Sequence, residues 1–112
     1  MPKKFTSQQQ DIIRTIRDTV KNPVPDEVFY TPEEWKERRE QYGTDSLLVV
    51  CHDGGDHAPF FNLDYEAYAR WEEMIAALRP LGVYSEQCTS WYSAIYRPSM
   101  SPDNITNGRK TR

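Results

Sequence analysis

Residues 46–52, Ser46-Leu47-Leu48-Val49-Val50-Cys51-His52, carry the strongest strand signal in the chain. A β-prone apolar run with no polar alternation suits a central strand that is covered on both faces. The next residues, Asp53-Gly54-Gly55-Asp56, read as a tight turn, because Asp and Gly accept the positive φ angles of such connections. Residues 58–63 are then expected to pair back as the second arm of a hairpin. Pro59 has no N–H to give to a ladder and confines that arm to an edge or an irregular segment.

A second β-prone stretch, residues 83–96, contains neither Gly nor Pro and is rich in Tyr, Thr, Trp, Val and Ile. It reads either as one long bent strand or as a hairpin turning near residues 87–90. Alternation places Tyr84, Cys88, Tyr92 and Tyr96 on one face and Val83, Trp91 and Ile95 on the other, so both faces carry aromatic surface.

Helices are expected around these strands. Ser7 stands three residues before Gln10 in a capping-box arrangement, and Ile12, Ile13, Ile16 and Val20 follow at helical spacing. The prolines of Asn22-Pro23-Val24-Pro25-Asp26 stop that helix. Val28-Phe29-Tyr30 is a short apolar lead-in to Thr31-Pro32-Glu33-Glu34, which holds a cap, a proline at the first helical position and the glutamate of a second box. The second helix is expected to run to about Gln41 and end near Gly43, pinned by Trp35. A third is expected over residues 64–79, with Tyr65, Tyr68, Trp71, Ile75 and Leu78 as its apolar face.

The sequence therefore predicts an α+β fold in the order α-α-β-β-α-β, a small and mainly antiparallel sheet with helix 64–79 packed on one face. Leu48, Val50, Tyr68, Trp71, Ile75, Leu78, Trp91 and Ile95 are expected to share its core. Residues 1–97 would form one domain, since 112 residues suffice for a single core. Residues 98–112 have no apolar periodicity and are expected to be a disordered basic tail.

The formal net charge of −3 is unevenly distributed. Residues 22–96 hold fourteen acids against five bases, while Lys3, Lys4, Arg14, Arg17 and Lys21 lie before them and Arg97, Arg109, Lys110 and Arg112 after. An acidic body repels phosphates, so no direct nucleic-acid contact is expected there. No apolar run approaches the roughly 18 residues of a membrane span, and no apolar signal core follows the N-terminal lysines. The expectation is a cytoplasmic protein with no membrane partner, in which Cys51 and Cys88 are free thiols.

Residues 51–57 concentrate the side chains with chemical potential, including both histidines of the chain. His52, Asp53, Asp56 and His57 together offer a three- or four-ligand set for zinc, nickel or copper if the turn brings them close. Their spacing matches no established zinc signature. A nucleophile at Cys51 or Cys88 with His52 or His57 is disfavoured, since Cys51 closes an apolar strand and the local charge is negative, which raises a thiol's pKa. Gly54-Gly55 lacks the lysine and hydroxyl of a phosphate loop.

Fourteen aromatic residues, seven of them tyrosine, are more than so small a core needs, and Tyr and Trp are the usual contact anchors. The sequence thus favours a non-enzymatic protein-interaction module with no cofactor. Its expected partner is a basic or nucleic-acid-binding protein, and its sharper form is an acidic inhibitor of a nucleic-acid-handling complex, of the kind mobile elements direct against host defence. Trp35, Glu66, Glu72, Glu73 and Tyr84 are the expected partner-binding residues. The alternative is a metal- or small-ligand-binding domain centred on the His52–His57 turn.

Overall fold

A computed structural model describes residues 5–98, and β2 (Leu48–Cys51) is central in it, as its apolar run predicts. β1 (Phe29–Tyr30) lies on one side of β2 and β4 (Tyr92–Tyr96) on the other, and β3 (Tyr84–Gln87) forms the far edge. All three pairings are antiparallel. Leu48 pairs with Ile95 and Cys51 with Tyr92 across the central ladder, while Tyr84 pairs with Tyr96 and Gln87 with Ser93 across the hairpin. The hairpin form of residues 83–96 is therefore the one adopted. Together with its helices, this four-stranded antiparallel sheet makes the domain α+β, as expected.

Because side chains alternate along a strand, the register decides what each face carries. Phe29, Leu48, Val50 and Ile95 point to the helical layer and join Ile12, Ile16, Phe61, Met74 and Leu78 in one buried cluster. Each such side chain contributes roughly 1.5–3 kcal/mol when fully buried. Val49 and Tyr92 point the other way and meet Trp35 in a second, smaller cluster.

Helix α1 (Ser7–Val20) buries Ile12, Ile13, Ile16 and Val20 as their spacing predicts. Its capping box is one residue earlier than expected. Thr6 Oγ1 accepts from Gln9 N–H at 3.1 Å and Gln9 Oε1 accepts from Thr6 N–H at 2.8 Å. Gln9 wins over Gln10 because its amide also donates to the Leu47 carbonyl at 2.8 Å, tying the start of α1 to the strand layer. The Thr31–Glu34 box opens α2 (Pro32–Glu37) as predicted. That helix ends well short of Gln41, since Arg39 sits in the left-handed region at φ 62°.

The element order departs from the expected one at two places. Val28-Phe29-Tyr30 contributes β1, and residues 58–63 are not a strand: Ala58–Phe61 is the short helix α3. Both edges of β2 are taken, by β1 and β4, so residues 58–63 have no ladder to join. Pro59 fits instead into the first turn of α3, where its missing N–H would have had no partner anyway. Phe60 and Phe61 then both reach the helical core, which an alternating strand would not allow.

Helix α4 spans Tyr68–Leu78 rather than 64–79. A single 3₁₀ turn, Leu63–Tyr65, precedes it and closes at Glu66 with φ 56°, which breaks helical continuity. The helix faces α1 and α3 through Met74 and Leu78, whereas Trp71 and Ile75, expected in the core, are only half-buried and stand outside that cluster. Tyr68 is 55% exposed and does not belong to the core. Trp91 is also not beside Ile95. It precedes β4, in the hairpin turn, and packs on Trp35 with ring centroids 5.7 Å apart.

Candidate functional site

The His52–His57 turn is built around buried imidazoles. His52 and His57 are 1% and 2% exposed, whereas Asp53 and Asp56 point to solvent. His52 follows β2 on the helix side, where its Nε2 lies 3.0 Å from Ser93 Oγ and its ring stacks parallel to Phe61 at 5.9 Å. His57 turns back over the loop. Its Nε2 is 2.7 Å from the Cys51 carbonyl, and since a carbonyl only accepts, that nitrogen carries the proton. Gly55 is required beneath it, because a Cβ there would stand 2.5 Å from the His57 ring.

These environments favour neutral imidazole. Burial, and secondarily the neighbouring His57, pulls His52 from 6.5 down to about 4. Burial also lowers His57, against the hydrogen bond to Cys51 and the charge of Asp56. Among the described residues no three His, Cys, Asp or Glu side chains converge as a metal shell. The histidines hold the turn to the sheet and to α3.

The five expected partner-binding residues do not form one surface. Glu72 and Glu73 are exposed on α4, and Glu66 is exposed at the left-handed residue before it. Trp35 and Tyr84 lie across the sheet from them. Trp35 has no exposed surface, being closed in by Tyr30, Trp91 and Tyr92, with the Arg38 guanidinium 4.8 Å above its ring. Tyr84 is half-buried against Tyr96, with ring centroids 6.1 Å apart.

Beside Tyr84 the second face of the sheet is incompletely covered. α2 closes the end near Val49 and Tyr92, and the irregular segment 41–45 runs along the remainder, held by Tyr92. The Tyr92 hydroxyl accepts from Tyr42 N–H at 3.2 Å and donates to Tyr42 C=O at 3.1 Å. Gly43, at φ 84°, comes so close to the sheet that a Cβ would lie 3.3 Å from Ala94 Cβ. Ser46 Oγ ties off the Gly43 carbonyl at 2.7 Å.

Between this segment and β3 remains an open groove of about 470 Å³, lined among others by Tyr42, Asp45, Glu86, Cys88 and Tyr96. Among the described residues no Lys, Arg or His lines it. Tyr96 Oη donates to Asp45 Oδ1 at 3.1 Å, and neither Asp45 nor Glu86 has a cationic partner among the described residues. The surplus negative charge is felt locally. Burial, then Glu86 and Asp45, pushes the Cys88 thiol up to about 12, and burial with Asp45 raises the Tyr96 phenol.

Cys88 is accordingly a protonated, unreactive thiol at neutral pH. It cannot bridge to Cys51 either. Neither is in a disulfide, and they flank Tyr92 from opposite sides, Cys51 as its register partner and Cys88 through an N–H bond to its carbonyl at 3.1 Å. Two strand spacings of about 4.8 Å separate them by roughly 10 Å, beyond the about 7 Å that a disulfide spans.

Asp45, Glu86 and Tyr42 were not marked by the sequence as partner-binding residues. The one available signal was parity: Glu86 shares the alternation of Tyr84, Cys88, Tyr92 and Tyr96. No protein-family model matches the chain, and neither a curated protein nor a solved structure matches it.

Proposed function

We propose that this protein is a non-enzymatic interaction module for a basic protein partner. The observation that carries the reading is a set of carboxylates left without cationic partners on a domain whose aromatic sheet face is only partly covered. Asp45 and Glu86 on the groove, and Glu66, Glu72 and Glu73 on the helical layer, are in no ion pair among the described residues. The ion pairs among the described residues are Arg14–Asp11, Arg17–Asp26 and Arg38–Glu40. An uncompensated field of one sign speeds encounter with a partner of the other and fixes its orientation.

No helix among the described residues is long and apolar enough to cross a membrane. A cytoplasmic setting is part of the proposal, and it suits two cysteines that form no disulfide. In the finer form of the reading, the carboxylates stand where phosphates would bind and so inhibit a nucleic-acid-handling complex. The same charge excess supports it.

The test is affinity capture from the host with the full chain at low and high salt, alongside Glu72→Lys/Glu73→Lys and Glu86→Lys variants. A basic partner whose recovery falls with salt and with charge reversal is the expected result. Nucleic acid that competes for that partner supports the inhibitor form. A partner that is retained equally at high salt and by all variants overturns the electrostatic reading.

A further inference from the structure

Resting on the reading of a basic partner, we infer that the groove between segment 41–45 and β3 seats an arginine side chain of that partner. Its volume of about 470 Å³ lies within the roughly 300–1,000 Å³ of sites that enclose small ligands. The two carboxylates approach it from different elements, Asp45 from the irregular segment and Glu86 from the edge strand β3. Asp45 uses Oδ1 to accept from Tyr96 and keeps Oδ2 available, while the Glu86 carboxylate makes no hydrogen bond or ion pair among the described residues. A planar guanidinium, with five donors in a fixed fork, can satisfy acceptors on two sides at once, whereas an ammonium offers a compact point charge.

The aromatic lining points the same way. Tyr42 and Tyr96 line the groove, and a guanidinium gains from lying over an aromatic face as well as from its hydrogen bonds. Arg38 already shows this contact elsewhere in the molecule, lying over both Trp35 and Tyr30. The groove is also rigid before anything binds. Tyr42 is clamped through both its N–H and C=O by the Tyr92 hydroxyl, and Gly43 rests against Ala94, so little ordering is left for the ligand to impose.

The test is a titration of the ¹⁵N-labelled full chain with an acetylated, amidated tri-arginine peptide at low salt, with tri-lysine as comparator. Amide shifts should gather at Tyr42, Gly43, Asp45, Glu86 and Cys88, and tri-arginine should bind several-fold more tightly than tri-lysine. Glu86→Gln with Asp45→Asn should weaken tri-arginine binding about tenfold or more, because charge-assisted bonds are lost from both sides. Glu27→Gln, at an exposed acid that does not line the groove, should leave it unchanged. Since Asp45 also accepts from Tyr96, Glu86→Lys serves as a second variant that removes no internal contact and should abolish binding. Shifts confined to α4, or no shifts at all, overturn the groove assignment. Equal binding of tri-lysine overturns the guanidinium assignment. Capture of a salt-sensitive basic partner that Glu86→Lys still retains would leave the broader reading standing while removing this one.

Discussion

On the helical side of the sheet, Leu48, Val50 and Ile95 meet a continuous layer of Ile, Phe, Met and Leu from three helices, whereas on the other side Val49 and Tyr92 meet the buried Trp35, the half-buried Trp91 and an irregular segment. The first face is closed by apolar volume. The second is closed by specific bonds, the Tyr92 clamp on Tyr42 and the Ser46 tie to Gly43, and its closure stops short of Asp45 and Glu86. The first face keeps its charges on the outer surface of the helices, Glu72 and Glu73 among them. The second, finished by hydrogen bonds and tyrosines, leaves shaped, charged space at its margin, where the proposed arginine site lies.

The comparison can be broken most directly at Trp35. If one buried indole organises the second face, Trp35→Ala should cost about 3–5 kcal/mol, as much as truncating a central residue of the larger helical core. Urea denaturation of Trp35→Ala beside Ile95→Ala measures this, and a loss below about 1 kcal/mol would show that the second face is no core at all.

Acid should act selectively on the helical side, where His52 and His57 are buried. Folded His52 stays neutral down to about 4, while the unfolded chain takes up its proton near 6.5, so the unfolded state binds more protons between those values. Stability from this imidazole is full above 6.5, falls as pH drops toward about 4, and stops falling below that. The slope reaches up to about 1.4 kcal/mol per pH unit for each histidine. Subtracting the profile of His52→Gln from that of the wild type isolates the contribution, and a flat difference would mean the imidazole is not held neutral.

The smallest effect is expected at Gly43, which sharpens the contrast from the other side. Gly43→Ala forces a side chain into a left-handed residue and against Ala94, at a cost of about 1–3 kcal/mol. Because the groove wall moves with it, amide shifts should extend to Asp45 and Glu86 and leave α1 and α4 untouched. Shifts spread evenly over both faces would show that the two closures are coupled.

The features legible in the sequence were those decided locally. The apolar run of β2, the Thr31-Pro32-Glu33-Glu34 helix start and the isoleucine spacing of α1 each specify their element within a few residues. Where two local patterns compete, something distant decides. Thr6–Gln9 and Ser7–Gln10 fit the same box, and the carbonyl of Leu47 selects between them. Residues 58–63 did not form a strand, and 58–61 became a helix, because β1 had taken the edge they were expected to occupy. Met74, passed over in favour of Tyr68, lies on the buried stripe with Leu78, while the aromatic ring of Tyr68 stays exposed.

The site was less legible for the same reason. His52 and His57 look like ligands when read with their neighbours Asp53 and Asp56, but Ser93, Phe61 and the Cys51 carbonyl determine what they do. Asp45 and Glu86 meet only through the β2–β4–β3 order of the sheet, which no local spacing encodes. The expectation of a disordered basic tail concerns residues that, apart from Pro98, lie outside those described.

The strand order also governs how this molecule tolerates crowding by its own kind. Exposed sheet edges invite further strands, and both edges here are poor templates. β1 offers two residues with prolines close on either side, and β3 offers four, with the Glu86 charge among them. The end of β3 is further covered where Gln87 Oε1 accepts from Leu63 N–H at 3.0 Å. Lengthening of the sheet by an incoming chain is thereby discouraged, which guards the protein against edge-to-edge aggregation.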